Sequence, residues 1–88
     1  MRTTITIINK LGLHARAAAK FVSLCAQYQS QITVECKGKS ANGKSIMAVM
    51  MLAASCGTDI TIIAEGSDEN EATTALTTLI NDKFGEGI

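Results

Sequence analysis

One histidine in this chain lies where its side chain could carry a covalent chemical step. His14 belongs to the stretch GLHAR, residues 12–16, directly before an apolar pattern that predicts a helix. An unprotonated imidazole is a good nucleophile near neutral pH. At a helix start it would also face free backbone N–H groups and the positive end of the helix dipole, which favour an anion. The position suits a phosphoryl acceptor, although a histidine near a helix start is more often a helix cap or a solvated side chain.

Basic residues near His14 favour the first interpretation. Arg16 offers a planar guanidinium that suits phosphate oxygens, and Lys20 adds a charge one turn later. Residues 1–44 carry seven basic side chains and one acidic one, whereas residues 45–88 carry one basic and seven acidic side chains. A basic face of this kind would attract phosphate or an acidic protein surface. Nucleic acid is not an expected partner, because the basic residues are scattered and lack interleaved aromatic residues.

A second motif points to phosphate chemistry of another kind. Residues 38–45 read GKSANGKS and fit G-x-x-x-x-G-K-[ST], the pattern of a nucleotide-binding phosphate loop. That loop belongs to a parallel sheet with long crossover connections, which a chain of 88 residues with short hairpin-like connections does not supply. No apolar strand ends in an Asp placed to hold magnesium, since Asp59 precedes its strand. We therefore expect no nucleotide cofactor, and Gly38 is better suited to a hairpin turn.

The remaining composition argues against several other classes. Cys25, Cys36 and Cys56 are odd in number and show no C-x-x-C spacing, so neither a disulfide framework nor a metal site is expected. No apolar run approaches the roughly 18 residues of a membrane span, and no secretory signal pattern opens the chain. The expectation is a soluble, cytoplasmic monomer of one domain, residues 1–88, without a cofactor and without membrane insertion.

The hydrophobic pattern predicts elements in the order β-α-β-β-α-β-α. Alternating apolar residues predict strands at 4–7, 32–37, about 40–42 and 60–64. Helical spacing predicts helices at about 15–28, at 46–54 with Gly57 closing it, and over 72–80. Asp68 and Glu71 resemble a capping box before the last helix, and residues 85–88 are expected to fray. One-sided strands with amphipathic helices favour an α+β fold of two layers, a single sheet with helices on one side.

Two blocks of the sequence resemble a known protein family. LGLHAR followed by AAAKF, and then KSIMAVMMLA before Gly57, are similar to the histidine-containing phosphocarrier protein (HPr) family of the bacterial phosphoenolpyruvate-dependent phosphotransferase system. The resemblance extends over nearly the whole chain, and the two blocks together are more specific than either alone. It implies an open-faced sandwich, a four-stranded antiparallel sheet with three helices on one face, which agrees with the predicted order of elements.

The resemblance also implies a function. Phospho-enzyme I, charged from phosphoenolpyruvate, would phosphorylate His14 on Nδ1, and His14 would pass the group to a histidine of an IIA-type protein, in sugar uptake or in a nitrogen-related regulatory branch. The chain would then be a carrier rather than an enzyme that turns over small molecules. Arg16 matches the arginine beside the phosphohistidine. Ser45 matches the serine that a dedicated kinase phosphorylates in many members, so a serine kinase or phosphatase is a further implied partner.

One residue departs from the family pattern. Members commonly have proline directly after the H-A-R arginine, and this chain has Ala17. Proline pre-sets φ in the first turn and gives up an N–H group, whereas Ala17 keeps a donor that could face the phosphate. The start of the first helix is therefore open at this stage.

The apolar helix at 46–54 predicts a docking surface. Residues 46–52, IMAVMML, are apolar on every side, so the helix is either deeply buried or partly exposed. We expect an exposed patch beside His14, on which flexible methionines adapt to several partners. The residues assigned to partner binding are Ala15, Lys20, Ile46, Met47, Met50 and Met51. An alternative function is a regulatory protein-binding module that uses this helix and Ser45 phosphorylation without carrier turnover.

Overall fold

The chain forms four β-strands and three α-helices, and the computed structural model describes all residues, 1–88. The strands are β1 (Arg2–Thr6), β2 (Gln31–Cys36), β3 (Lys39–Asn42) and β4 (Asp59–Glu65). The helices are α1 (Ala15–Cys25), α2 (Ile46–Met51) and α3 (Glu69–Asn81), and a single turn at Lys83–Gly85 follows α3. The order of these elements agrees with the order that the hydrophobic pattern predicts. None of the helices is long and apolar enough to cross a membrane.

The sheet has one apolar face and one polar face. Its strands lie in the order β1-β4-β2-β3, and every neighbouring pair is antiparallel. Alternate residues of β2 and β4 are buried, namely Ile32, Val34, Cys36, Ile60, Ile62 and Ala64. On the other face the hydroxyl groups of Thr4 and Thr61 share a hydrogen bond of 3.0 Å. Because only one face is apolar, the three helices pack on that side, and the predicted two-layer α+β fold is confirmed.

The strand directions decide which helix ends meet. β1 stops, and α1 follows, at the end of the sheet where Thr6 pairs with Asp59, which we call the Thr6 end. β3 and β4 stop at the opposite end, so α2 and α3 begin there and run back toward the Thr6 end. The Leu13 N–H group donates to the Ala54 carbonyl at 2.8 Å and ties the start of α1 to the segment after α2. The start of α1 and the ends of α2 and α3 are therefore neighbours.

Two helices are shorter than the apolar pattern predicts. α1 ends at Cys25, and the N–H group of Tyr28 donates to the Cys25 carbonyl at 3.2 Å in a tighter turn. α2 ends at Met51 because Ala53 takes a left-handed conformation with φ 52°, so the residue expected to close it, Gly57, lies beyond its end. Gly57 instead donates its N–H group to Ile7 at 2.7 Å, just before β4. The prediction of a helix over 46–54 was wrong at its C-terminal end.

The predicted capping box of α3 does not form. Asp68 is the N-cap residue but makes no side-chain bond to its own helix. Its carboxylate accepts hydrogen bonds from the Gln29 N–H group at 2.8 Å, the Ser30 N–H group at 2.9 Å and the Ser30 hydroxyl. Glu71 is exposed. Asp68 therefore fastens the loop after α1 to the start of α3, because this loop offers two backbone donors, one of them at the buried Ser30, that need an acceptor more than the helix does.

The last residues are fixed in place and do not fray as expected. Phe84 is completely buried in the core. Beyond it, the Lys10 N–H group donates to the Ile88 carbonyl at 3.0 Å, which ties the end of the chain to the loop before α1. An apolar ring that must be buried, together with a backbone hydrogen bond, outweighs the freedom of a chain terminus.

We expect Asp68→Asn to destabilise the protein at neutral pH. The hydrogen bonds from the Ser30 hydroxyl and then from the Gln29 N–H group hold the pKa of Asp68 below its usual value. A lowered pKa contributes stability that is present above the unfolded-state pKa of about 3.9 and is lost as the pH falls through the folded-state value. Urea unfolding should give a lower midpoint for the variant near neutral pH, and the difference should shrink as the pH falls below about 4.

Glu71→Gln is the matched control for this experiment, since it removes a carboxylate of the same helix turn that makes no hydrogen bond to the loop. Its unfolding midpoint should stay close to that of the wild type. A difference between Asp68→Asn and wild type that is constant with pH would contradict the assigned role.

Candidate functional site

His14 is the residue from which α1 begins. It is the N-cap residue, with extended backbone angles of φ −73° and ψ 179°, and its carbonyl accepts the Ala18 N–H group at 2.8 Å. Its side chain makes no capping bond, so the alternative of a capping histidine does not hold. The first N–H groups of the helix, at residues 15–17, have no intrahelical acceptor. The imidazole thus lies at the positive end of an 11-residue helix with donors beside it.

An open cleft surrounds the imidazole and brings several predicted residues together. The cleft has a volume of about 590 Å³ and is lined by Leu11, His14, Ala15, Arg16, Lys20, Gly85, Glu86 and Ile88. Arg16 is exposed and forms no ion pair, so its guanidinium is available to a ligand. Lys20 instead donates from Nζ to the Phe84 carbonyl at 2.6 Å. The two predicted cations therefore differ in role: Arg16 is free to bind a ligand, whereas Lys20 holds the end of the chain.

A carboxylate that the sequence patterns do not predict occupies the other side of the imidazole. Glu86 places Oε2 in hydrogen-bond contact with Nε2 of His14. Its second oxygen, Oε1, accepts from the Asn9 amide at 2.9 Å, and the same amide nitrogen donates to the Gly12 carbonyl at 2.9 Å. The Asn9 amide first, and His14 second, hold the pKa of Glu86 below its usual value, so the carboxylate is ionised at neutral pH.

The chain reaches this contact through an unusual backbone segment. Lys83, Phe84 and Gly85 have φ values of 56°, 54° and 76°, a left-handed run in which two residues carry a Cβ atom. Each such residue costs on the order of 1 kcal/mol and persists only when its surroundings impose it. Here the burial of Phe84 and the bond from Lys20 impose it. Strained segments of this kind are characteristic of functional sites.

Comparison with known proteins identifies the family. A sequence model described as "PTS HPr component phosphorylation site" matches residues 1–82. The chain belongs to the HPr family. It is 58% identical over 84 residues to the phosphocarrier protein HPr of Pseudomonas aeruginosa, covering 94% of this chain and 93% of that protein. It is 39% identical over 82 residues to the phosphocarrier protein NPr of Shewanella violacea, covering 93% of this chain and 90% of that protein.

The fold agrees with solved members of the HPr family. The crystal structure of HPr-C-His from Thermoanaerobacter tengcongensis matches with a TM-score of 0.96 and 50% identity, covering 100% of this chain and 99% of that chain. The family resemblance seen in the LGLHAR and KSIMAVMMLA blocks is therefore confirmed, as is the open-faced sandwich that it implies.

The residues at 38–45 form a hairpin and a loop, not a phosphate cradle. Gly38, with φ 81°, makes the turn between β2 and β3, and Lys37 before it has φ 50°. The Asn42 side-chain oxygen accepts the Lys44 N–H group at 2.9 Å. Ser45 then caps α2, its hydroxyl accepting the Ala48 N–H group at 3.4 Å. An antiparallel sheet and a six-residue helix do not supply the framework of a nucleotide site.

Ser45 and His14 lie at opposite ends of two antiparallel helices. Lys44 donates from Nζ to the Tyr28 carbonyl at 2.8 Å, which places the start of α2 beside the end of α1. The six residues of α2 then span about 9 Å back toward the Thr6 end. The predicted docking residues on this helix include Ile46, Met47 and Met51, which are 39%, 66% and 73% exposed. Met50 is half-buried and packs against the core.

Local patterns give no signal for Asn9 and little for Glu86. Asn9 lies in the loop between β1 and α1, where an asparagine usually indicates only a turn, yet it is completely buried. Glu86 follows His14 by 72 residues. The one usable signal is Phe84, an apolar residue near the end of the chain that must find a place in the core and thereby returns the next residues to the fold.

We expect the pKa of Glu86 to depend on Asn9 more than on His14. Asn9→Ala removes the larger cause of the lowered value, so the pKa should rise toward its usual range. His14→Ala should give a smaller rise. The pKa can be read from the side-chain carboxyl shifts of Glu86 in a carbon-detected NMR titration.

Glu69 provides an internal reference for the titration, because the N-terminal ammonium and the Gly66 N–H group lower its pKa and neither variant touches them. Its value should remain the same in all three proteins. A Glu86 pKa that does not change in Asn9→Ala would show that the amide contact does not persist in solution.

Proposed function

We propose that the chain is a phosphoryl carrier that accepts a phosphoryl group on Nδ1 of His14. Phospho-enzyme I, with phosphoenolpyruvate as the source, is the proposed donor, and a histidine of an IIA-type protein is the proposed acceptor. One observation carries the proposal: Nε2 of His14 is engaged by Glu86, Nδ1 has no hydrogen-bond partner in the protein, and the unpaired Arg16 lines the same cleft at the start of α1. Membership of the HPr family supports it.

The proposed transfer is an exchange between two nitrogen atoms. The lone pair of Nδ1 attacks the phosphorus atom of the donor's phosphohistidine, a new N–P bond forms, and the donor's N–P bond breaks with its electron pair returning to the donor imidazole. Negative charge on the phosphoryl oxygens would be offset by Arg16 and by the free N–H groups of α1. The open cleft suits this chemistry, because the donor histidine must approach from another protein.

The partner surface is proposed to extend from His14 along α2. Ile46, Met47 and Met51 expose apolar side chains, and Arg16, together with Ala15 and Lys20, borders the cleft at the end toward which α2 runs. Flexible methionines adapt to different partners, and basic side chains at the border steer acidic surfaces and speed association. Because the relatives include proteins named HPr and a protein named NPr, the proposal covers both sugar uptake and nitrogen-related regulation.

Ser45 is the proposed regulatory phosphorylation site. It is half-buried at the start of α2, next to the exposed Ile46 and Met47. A phosphate group there would add a charge of roughly −1.5 to −2 beside the docking surface. The added charge would repel acidic partners that Arg16 and Lys20 attract, so a serine kinase acting on Ser45 would lower the rate of transfer.

A second candidate is a regulatory binding module in which His14 takes no part. The exposure of Met47 and Met51 favours it, since apolar side chains exposed to this degree are typical of a protein-binding surface. A cell that keeps the function of the protein with His14→Ala, but loses it with Met47→Asp, would support the binding module against the carrier.

We expect His14→Ala to abolish phosphorylation and Arg16→Ala to slow it. Incubation with phosphoenolpyruvate and enzyme I should give an acid-labile, base-stable phosphoprotein with the wild type and none with His14→Ala. Loss of a charge-assisted hydrogen bond of about 1.5–3 kcal/mol in Arg16→Ala should slow transfer roughly 10- to 100-fold, without a change in the unfolding midpoint. Labelled phosphate and rapid quenching measure both outcomes.

Arg2→Ala is the matched control, since this exposed arginine pairs with Glu35 on the polar face of the sheet. It should transfer at the wild-type rate. Base-stable labelling of His14→Ala would overturn the proposed function.

We expect a negative charge on the docking surface to weaken the complex with enzyme I. Met47→Asp removes an exposed apolar side chain and adds a charge. Ser45→Asp adds a charge two residues earlier, at the N-cap position of α2. Each should raise the dissociation constant about tenfold or more, the effect of about 1.4 kcal/mol. Thr74→Asp places the same charge on an exposed position of α3 and should bind like the wild type. Isothermal titration calorimetry can compare the three, and unchanged affinity of Met47→Asp would exclude α2 from the interface.

A further inference from the structure

The group that contacts Nε2 of His14 decides which ring nitrogen carries the proton. A neutral imidazole carries its proton on one nitrogen and a lone pair on the other, and the hydrogen bond made by one nitrogen fixes the role of the other. An ionised carboxylate only accepts hydrogen bonds. The contact with Glu86 therefore retains the proton on Nε2 and leaves the lone pair on Nδ1, the atom without a protein partner.

Glu86 is itself oriented by a buried amide. Asn9 is completely buried, and its side-chain nitrogen bridges the Glu86 carboxylate and the Gly12 carbonyl, both at 2.9 Å. Gly12 has a φ of 68°, and an added Cβ atom would lie 2.5 Å from the Ala54 carbonyl oxygen, so this loop is closely seated. His14 follows the same loop by two residues. The carboxylate and the imidazole are thus positioned relative to the same short piece of backbone.

The end of the chain is held on both sides of Glu86. Before it, Phe84 is buried and its carbonyl accepts from Lys20 of α1 at 2.6 Å. After it, the Ile88 carbonyl accepts from the Lys10 N–H group at 3.0 Å. The Glu86 side chain is only 9% exposed. A solvated surface carboxylate would need none of these contacts, whereas a carboxylate that must meet one nitrogen at a fixed angle needs all of them.

The geometry points to Glu86 as a positioning residue for phosphoryl transfer, held by Asn9, which selects the Nε2–H form of His14 and so presents the Nδ1 lone pair to the donor. This inference rests on the proposed carrier function. When the N–P bond forms at Nδ1, positive charge develops on the ring while the proton stays on Nε2, and the Glu86 carboxylate offsets that charge. No proton leaves the ring, and no further reactant is needed.

The test has one readout that does not require phosphorylation. Nitrogen-15 NMR of the labelled His14 ring reports the ratio of the Nε2–H and Nδ1–H forms in the unphosphorylated protein. The Nε2–H form should predominate in the wild type. Its share should be lower in Glu86→Gln, because an amide can donate a hydrogen bond as well as accept one. Asn9→Ala should give an intermediate ratio. An unchanged ratio in Glu86→Gln would overturn the inference.

The second readout is the rate of transfer from phospho-enzyme I. Loss of a positioning partner typically lowers activity roughly 10- to 100-fold, and Glu86→Gln should show a decrease of that size. Glu65→Gln, an exposed glutamate at the opposite end of the sheet, is the matched control and should keep the wild-type rate. If the carboxylate acted only by repelling the incoming phosphoryl group, Glu86→Gln would transfer faster, and that result would also overturn the inference.

The two readouts separate the two proposals. A shifted ratio together with a slower rate supports the positioning role, and a shifted ratio with a wild-type rate refutes it. If the wild type takes no phosphoryl group at all, the carrier function fails and the role in transfer fails with it, while the NMR ratio still decides whether Glu86 fixes the ring.

Discussion

Four short strands bury apolar side chains on one face of the sheet only, and the rest of the structure depends on covering that face. A single layer of three helices is enough to bury Ile32, Val34, Ile60 and Ile62. Antiparallel strand order then sends α1 in one direction and α2 and α3 in the other. Because of this arrangement, several loops of the chain meet at the Thr6 end. His14 lies among them because α1 starts there.

The uneven charge along the sequence is partly cancelled at this place. The basic half of the chain supplies His14, Arg16 and Lys20, and the acidic half returns one carboxylate, Glu86, from α3's end of the molecule. The returning carboxylate pairs with the imidazole and leaves the guanidinium of Arg16 unpaired. The cleft therefore keeps one cation free, and its single acidic residue contacts the ring and not that cation, an arrangement that suits the proposed binding of an anion.

Much of the fold follows from local patterns, because strands with one buried face and amphipathic helices have clear periods. The boundaries follow less well: α2 stops where Ala53 turns left-handed, a conformation that alanine has no intrinsic tendency to adopt. The capping-box pattern at Asp68 gives the right helix start but the wrong partner, since the loop donors of Gln29 and Ser30 are supplied only by the tertiary fold. The placement of His14 and Arg16 at a helix start follows from their spacing. The contact of Glu86 with His14 joins residues 72 positions apart and leaves no period to detect.

The left-handed turn at Lys83–Gly85 has a consequence for the order of events during synthesis. His14 leaves the ribosome early, whereas an 11-residue helix such as α1 becomes stable only when it packs against the rest of the fold. The carboxylate that pairs with its ring is synthesised 72 residues later. It can reach the ring only after Phe84 has entered a core that α1 and α3 must already have formed. The imidazole is therefore synthesised before the rest of the site, but its contact with Glu86 is among the last to form. A nascent or C-terminally clipped chain would carry the same histidine in a nearly finished fold, with its ring free to take either proton arrangement.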